Sequence, residues 1–163
     1  MKKIVCILAL VLPMMASAQK YGHVNTTELF QQMPEVAVVK AQMDTLNSQY
    51  ENQLTMMQEE LQKKYQEYQA NEATMADAIK QLKQQELQEM QSRIQTFYQT
   101  AEQDLQKKQQ ELLAPIHEKL TKAIKAVGER DGYTYIFDSA AMVYVSDNAT
   151  DASPAVRKEL GIK

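Results

Sequence analysis

Cysteine is all but missing from this chain: among 163 residues the only one is Cys6. A single cysteine closes no internal disulfide, so packing or association must supply the stability that small exported domains otherwise take from cross-links. Tryptophan is absent, and glycine and proline number four each. No glycine occurs between Gly22 and Gly128, and Pro115 is the one proline between Pro34 and Pro154. The only histidines, His23 and His117, are far apart and have no His or Cys partner at ligand spacing, which argues against a metal site. There is no phosphate-cradling glycine loop, no nucleophile elbow and no zinc pattern, so neither a cofactor nor an enzyme is expected. A basic excess is also missing. The net charge of −3 argues against nucleic acid, which needs a basic face.

The one compact apolar run lies at the start. Lys2 and Lys3 precede the apolar stretch Ile4 to Leu12, and Ala16-Ser17-Ala18 follows. That is the layout of a cleaved export signal over residues 1–18, with the cut between Ala18 and Gln19. Cys6 lies inside the apolar stretch, not at the cleavage point where a lipoprotein cysteine would sit. No later segment reaches the roughly 18 apolar residues of a membrane span. Without Lys2 and Lys3 the remaining chain carries 16 basic and 21 acidic residues, a net of −5. An exported, cysteine-free, polar, helical chain fits the bacterial periplasm. In that compartment Asn25-Thr26-Thr27 and Asn148-Ala149-Thr150 are not glycosylated, although both match the acceptor pattern.

From about Glu35 the sequence is dense in Gln, Glu, Lys, Leu and Met, all good helix formers. Met43, Leu46, Tyr50, Leu54, Met57, Leu61, Tyr65 and Tyr68 form one apolar stripe whose members recur after 11 residues. Farther on, Met90, Ala101, Leu112 and Ala123 form a column, as do Ile94, Leu105, Ile116 and Val127. Leu87, Tyr98, Gln109 and Leu120 form a third, with one polar break. Eleven residues in three turns favour a nearly straight or gently right-handed stripe. Matching periods predict two long antiparallel helices that pair with each other. Their tip is placed at residues 71–77, where Thr74 and Asp77 resemble a capping box. At 1.5 Å per residue the arms span roughly 50 and 80 Å. Pro115 predicts a kink in the returning helix, where the arm joins the rest.

The flanks are short. Tyr21-Gly22-His23-Val24 reads as a strand, and Asn25 with Glu28 as the capped start of a short helix through Leu29, Phe30 and Met33. Pro34 suits the first turn of the next helix. Tyr133 to Phe137 and Met142 to Val145 read as a β-hairpin turning at Ser139 and Ala140. Ser153 reads as an N-cap, with a last helix from Pro154 to Leu160 stopped by Gly161. About three strands with apolar residues on both faces make a marginal sheet with open edges. The strands are therefore expected to join between copies of the chain, through Val24, Tyr133, Tyr135, Ile136, Phe137, Val143, Tyr144 and Val145.

The fold class is thus mainly α with a small β part. The organisation is a signal at 1–18, a helical hairpin arm at 35–127, and a β-rich oligomerisation body from 19–34 and 128–163. Charged residues such as Glu59 with Lys63 and Lys64, or Glu118 with Lys122, read as surface pairs. The apolar arm residues have two readings, hairpin core or contact with other polypeptides. Unbranched, polarisable Met suits the second. Met56, off the stripe, and Met75, at the tip, are the better contact candidates, beside Met57, Tyr65, Tyr68, Met90 and Tyr98.

The order of elements resembles the OmpH/Skp family of periplasmic chaperones over the whole chain after the signal. The resemblance rests on Tyr21-Gly22-His23-Val24-Asn25, on Met33-Pro34-Glu35, and on the long Gln-rich hairpin. Its most specific part runs from Pro115-Ile116-His117-Glu118-Lys119-Leu120 through Ala123 to Val127, then Gly132 to Asp138, with Asp151 to Val156 closing. The resemblance implies a homotrimer with a small inter-subunit β-barrel and three arms around a cavity. It also implies an ATP-independent holdase for unfolded outer-membrane proteins. Charge departs from the family, whose well-known members carry positive arms linked to anionic lipid and client steering. Glu35 to Arg130 holds 12 basic and 15 acidic residues, which argues against anionic-lipid binding and electrostatic capture. A coiled-coil spacer or adaptor of the envelope is the alternative.

Overall fold

The computed structural model describes residues 19–162; the export-signal reading, with Ala18 at its cleavage point, lies outside them. Two helices dominate. After strand β1 (Tyr21–Val24) and helix α1 (Thr26–Gln32), helix α2 runs Pro34–Asn71 and helix α3 returns over Asp77–Asp131. Strand β2 (Tyr135–Asp138) and helix α4 (Ser153–Leu160) complete the chain. With 38 and 55 residues, α2 and α3 are about 57 and 82 Å long. Pro115 is the one proline inside either helix beyond its first turn, and α3 continues past it to Asp131.

The ends are set by local chemistry. The Asn25 side chain accepts from the Glu28 N–H and caps α1. Met33 is extended between α1 and α2, and Pro34 opens α2, where its missing N–H costs nothing. Gly132 (φ 70°) closes α3 and Gly161 (φ 72°) closes α4, both in the left-handed region. At the tip a 3-10 turn, Glu72–Thr74, joins the arms. The expected capping box does not form. Thr74 Oγ1 donates back to the Asn71 carbonyl, and Ala76 occupies the cap position of α3. Ser153 is likewise not the cap of α4. The Asp151 carboxylate accepts its N–H, so Ser153 is already helical.

The β part differs most from expectation. β1 and β2 form a two-stranded parallel sheet with Tyr21 opposite Tyr135, Gly22 opposite Ile136, His23 opposite Phe137 and Val24 opposite Asp138. Parallel neighbours need a long crossover. Here the crossover is α1 and the whole hairpin arm, so the sheet stitches together the arm's two ends. Met142 to Val145 is not a strand, and the β-hairpin is not made. A 3-10 turn at Ser139–Ala141, capped by the Asp138 side chain, leads the chain away from β2. The far side of β1 is taken instead by the segment before α4: His23 donates its N–H to the Thr150 carbonyl, and Ala152 donates to that of His23.

One core serves all of this. Val24, Leu29, Met33, Val127 and Val156 are each under 2 % exposed. They pack with Val39 from the root of α2, Ile116, Leu120 and Ala123 from α3, and Ala152 and Leu160. Burial of each large side chain is worth about 1.5–3 kcal/mol. The core therefore reaches up α3 to Ile116, the residue directly after Pro115. Phe30 stacks on His117 at 4.2 Å there, which gives that histidine a packing role at the arm's root. Lys119 pairs with Glu35 across the two helices at the same level.

Candidate functional site

The arm is held by a narrow seam. On α2 the covered positions from Tyr50 outward are Tyr50, Leu54, Met57, Leu61, Lys64 and Tyr68; on α3 the seam is Lys80, Lys83, Leu87, Met90, Ile94, Phe97 and Ala101, with Glu86 half-buried beside it. The spacing alternates three and four. That is the heptad spacing of left-handed coiled coils, and it replaces the expected 11-residue repeat in the outer half of the arm. Two aromatics read as seam residues, Tyr65 and Tyr98, are displaced to the surface at 50 % and 51 % exposure. Lys64 and Phe97 stand in their places. Phe97 meets Tyr50 edge-on at 5.9 Å, and the Tyr50 hydroxyl donates to Asp104 at 2.6 Å.

Lys64 occupies the seam because its ammonium is paired there. It meets the Glu86 carboxylate, which Lys83 also holds at 2.9 Å. The Lys64 ammonium, and after it that of Lys83, holds the Glu86 carboxyl down at about 2. Beside them the Tyr68 hydroxyl donates to Glu72 and accepts from Gln84. These polar clasps fix the outer end of the hairpin, where Lys64, Lys80 and Lys83 stand at seam positions. Among the described residues Glu59 pairs with neither Lys63 nor Lys64, and Lys64 meets Glu86 across the arm instead, whereas Glu118 and Lys122 do pair, at 2.7 Å.

The residues proposed to touch other polypeptides fall into two groups. Met56 (63 % exposed), Tyr65 and Tyr98 are open to solvent, and Met75 at the tip is half-buried. Met57 is half-buried on the seam, while Tyr68 and Met90 are covered between the helices. Three further apolar side chains are exposed on the arm: Val38, Ile79 and Leu82. Their signal in the sequence is apolar character away from the stripe, the feature that singled out Met56.

The sheet carries a second surface. Its inner side holds Gly22, Val24 and Ile136, and Val24 is fully within the chain's own core. Tyr133 also packs on that core, with Lys20 Nζ 4.0 Å above its ring. The outer side shows Tyr21, Tyr135 and Phe137 as one stack. Next to it the extended segment after β2 exposes Val143 (107 %) and Tyr144 (79 %), with Val145 half-buried. Among the described residues no cluster of three or more His, Cys, Asp or Glu is arranged to hold a metal ion, and no helix is long and apolar enough to cross a membrane.

A two-helix arm rising from a small body, with an exposed aromatic sheet face beneath it, defines an arm-and-body class of helical protein. Residues 20–160 match the family model described as outer membrane protein (OmpH-like). The chain belongs to this family. It is similar to the chaperone protein Skp of Pectobacterium atrosepticum, 32 % identical over 98 % of this chain and 99 % of that one. The chaperone protein Skp of Yersinia enterocolitica is 29 % identical with the same coverage. In fold it is similar to an OmpH-like protein of Caulobacter crescentus, with a TM-score of 0.78 at 19 % identity over 87 % of this chain and 83 % of the other.

Proposed function

We propose that this protein is an ATP-independent holdase of the periplasm that binds unfolded outer-membrane proteins and keeps them from aggregating. The observation that carries the reading is the end-to-end match to Skp chaperones in a chain whose arm leaves Met56, Tyr65 and Tyr98 uncovered. Isolated apolar contacts of this kind are individually weak. Several of them, on several arms around one space, hold a chain by avidity without binding any one sequence tightly. Such a mechanism needs no nucleotide and no catalytic residue.

The body supplies the assembly. Tyr21, Tyr135 and Phe137, with Val143 and Tyr144 beside them, form the face through which copies join, as a homotrimer with the arms on one side. Residues 35–127 then act as the arm, with a bend at Pro115 setting its angle to the body. The protein reaches the periplasm through the cleaved signal at residues 1–18. The test is light scattering of a denatured β-barrel protein diluted with and without the purified chain. Suppression near one trimer per client is expected, and none at that ratio overturns the reading. If extracts yield one folded envelope partner in place of many unfolded ones, the protein is a spacer.

A further inference from the structure

We infer that the middle of the arm carries a groove for client segments in which Lys or Arg stands beside apolar or aromatic residues. The groove, about 310 Å³, lies where the helices face each other. Its floor is Tyr50, Leu54, Phe97 and Ala101, and Tyr98 stands exposed at its edge. Its rim carries the carboxylates of Glu51 and Glu102, and none of its lining residues is Lys or Arg.

The surroundings have the same sign. α2 has no Lys or Arg between Lys40 and Lys63, and α3 has none between Arg93 and Lys107. The acidic residues in those spans are Asp44, Glu51, Glu59, Glu60, Glu102 and Asp104. Among the described residues none of the six is in an ion pair, although carboxylates at both ends of the arm are. Lys107 and Lys108, the nearest cations on α3, are turned toward Glu111. The phenol of Tyr98 is raised above its ordinary value by the neighbouring Glu102 carboxylate. An aromatic floor under an anionic rim complements a cation on an apolar stem. The ammonium or guanidinium meets Glu51 or Glu102 and a ring face, while its methylenes and neighbours cover Leu54 and Phe97. The arm then does sort clients by charge, in the sense opposite to a basic arm.

This inference rests on the holdase reading, and the test separates the two. The full exported chain is titrated with two fluorescent peptides of alternating Leu, Tyr and Ser, one with three lysines and one with three glutamates in their place. The lysine peptide should bind roughly tenfold tighter at low salt, and the preference should shrink as salt rises. The E51Q/E102Q variant, with unchanged helicity, should bring the two peptides close together while still suppressing aggregation of an uncharged client. Equal binding of both peptides by the unaltered protein, or a preference that survives E51Q/E102Q, overturns the groove and leaves the holdase standing. If neither peptide binds and no client is protected, both readings fall. A change in assembly mass on E51Q/E102Q would assign the groove to a second copy of the chain and overturn the inference.

Discussion

Tyr21 and Tyr135 lie face to face across the parallel strand pair, their ring centroids 6.0 Å apart and their planes 4° from parallel. Phe137 extends the stack at 5.9 Å from Tyr135. All three rings face out from a sheet of two strands, too small to be stable alone. Stacked aromatics left open to water on the outer side of so small a sheet suit a contact between copies.

The first prediction follows from that face. Tyr135→Glu with Phe137→Glu replaces two exposed rings, at 58 % and 43 %, so the chain's own core is untouched. Charges of one sign would then meet across any joint between copies. Sedimentation equilibrium should find the variant monomeric at concentrations where the parent is assembled, with the helical circular dichroism retained. An unchanged mass would place the interface elsewhere.

Gly22 tests how closely the sheet sits on the core. A Cβ added there would lie 2.5 Å from Cε1 and 3.0 Å from Cδ1 of Tyr133. That ring packs on the core below and is covered by Lys20 above. Gly22→Ala should therefore cost about 1–3 kcal/mol, the usual range for overpacking. Tyr133→Leu in the same chain should recover part of it, because the two changes share one contact. Urea unfolding of the two single variants and the double variant measures both. A loss under about 0.5 kcal/mol for Gly22→Ala, the range of a neutral surface change, would show that the ring swings aside freely.

Much of this fold was legible because long helices announce themselves. The composition from Glu35 onward, Pro34 at a helix start, Gly161 at a helix end, and the break at Asn71 each have a local cause. The outer seam was misread for a physical reason. A count of apolar residues selects Tyr65 and passes over Lys64, yet Lys64 holds the seam position through a bond to Glu86, a residue 22 positions away. The sheet was misread because strand propensity says that Tyr135 to Phe137 is extended but not what it pairs with. Its true partner, β1, lies on the other side of the entire arm. For the candidate site, Met56 was legible as an apolar residue off the stripe. The exposure of Tyr98 was not, because it depends on Phe97 taking the seam.

The Lys64–Glu86–Lys83 clasp predicts how the arm responds to acid. The Glu86 carboxyl stands at about 2, below its ordinary 4.5, because the ammonium groups of Lys64 and Lys83 bond its charged form. A depressed carboxylate stabilises the fold fully above the unfolded value and loses that contribution as pH falls toward the folded one. The clasp should thus hold above about pH 4.5 and open progressively toward pH 2. A carboxyl carbon titration by NMR should place the Glu86 midpoint well below the ordinary 4.5. In Lys64→Met it should return toward 4.5, and amide exchange near Met75 should quicken. A midpoint near 4.5 in the unaltered chain would mean that solvent screens the pair.

Client contact by the exposed side chains of the arm separates the two readings of its apolar residues. Met56 and Tyr65 are 63 % and 50 % exposed and make no part of the core. Changing both to Ser should alter stability by no more than about 0.5 kcal/mol. If they touch clients, each loses a partly buried apolar contact in the complex. The double variant should then need roughly three to ten times more protein to suppress the same scattering. Met90→Ser gives the opposite pattern. That side chain is 9 % exposed in the seam, so the arm should lose about 2 kcal/mol or more. At temperatures where the hairpin stays folded, suppression should change little. If Met56→Ser with Tyr65→Ser left suppression at the parent level, Met56 and Tyr65 would have no part in holding clients.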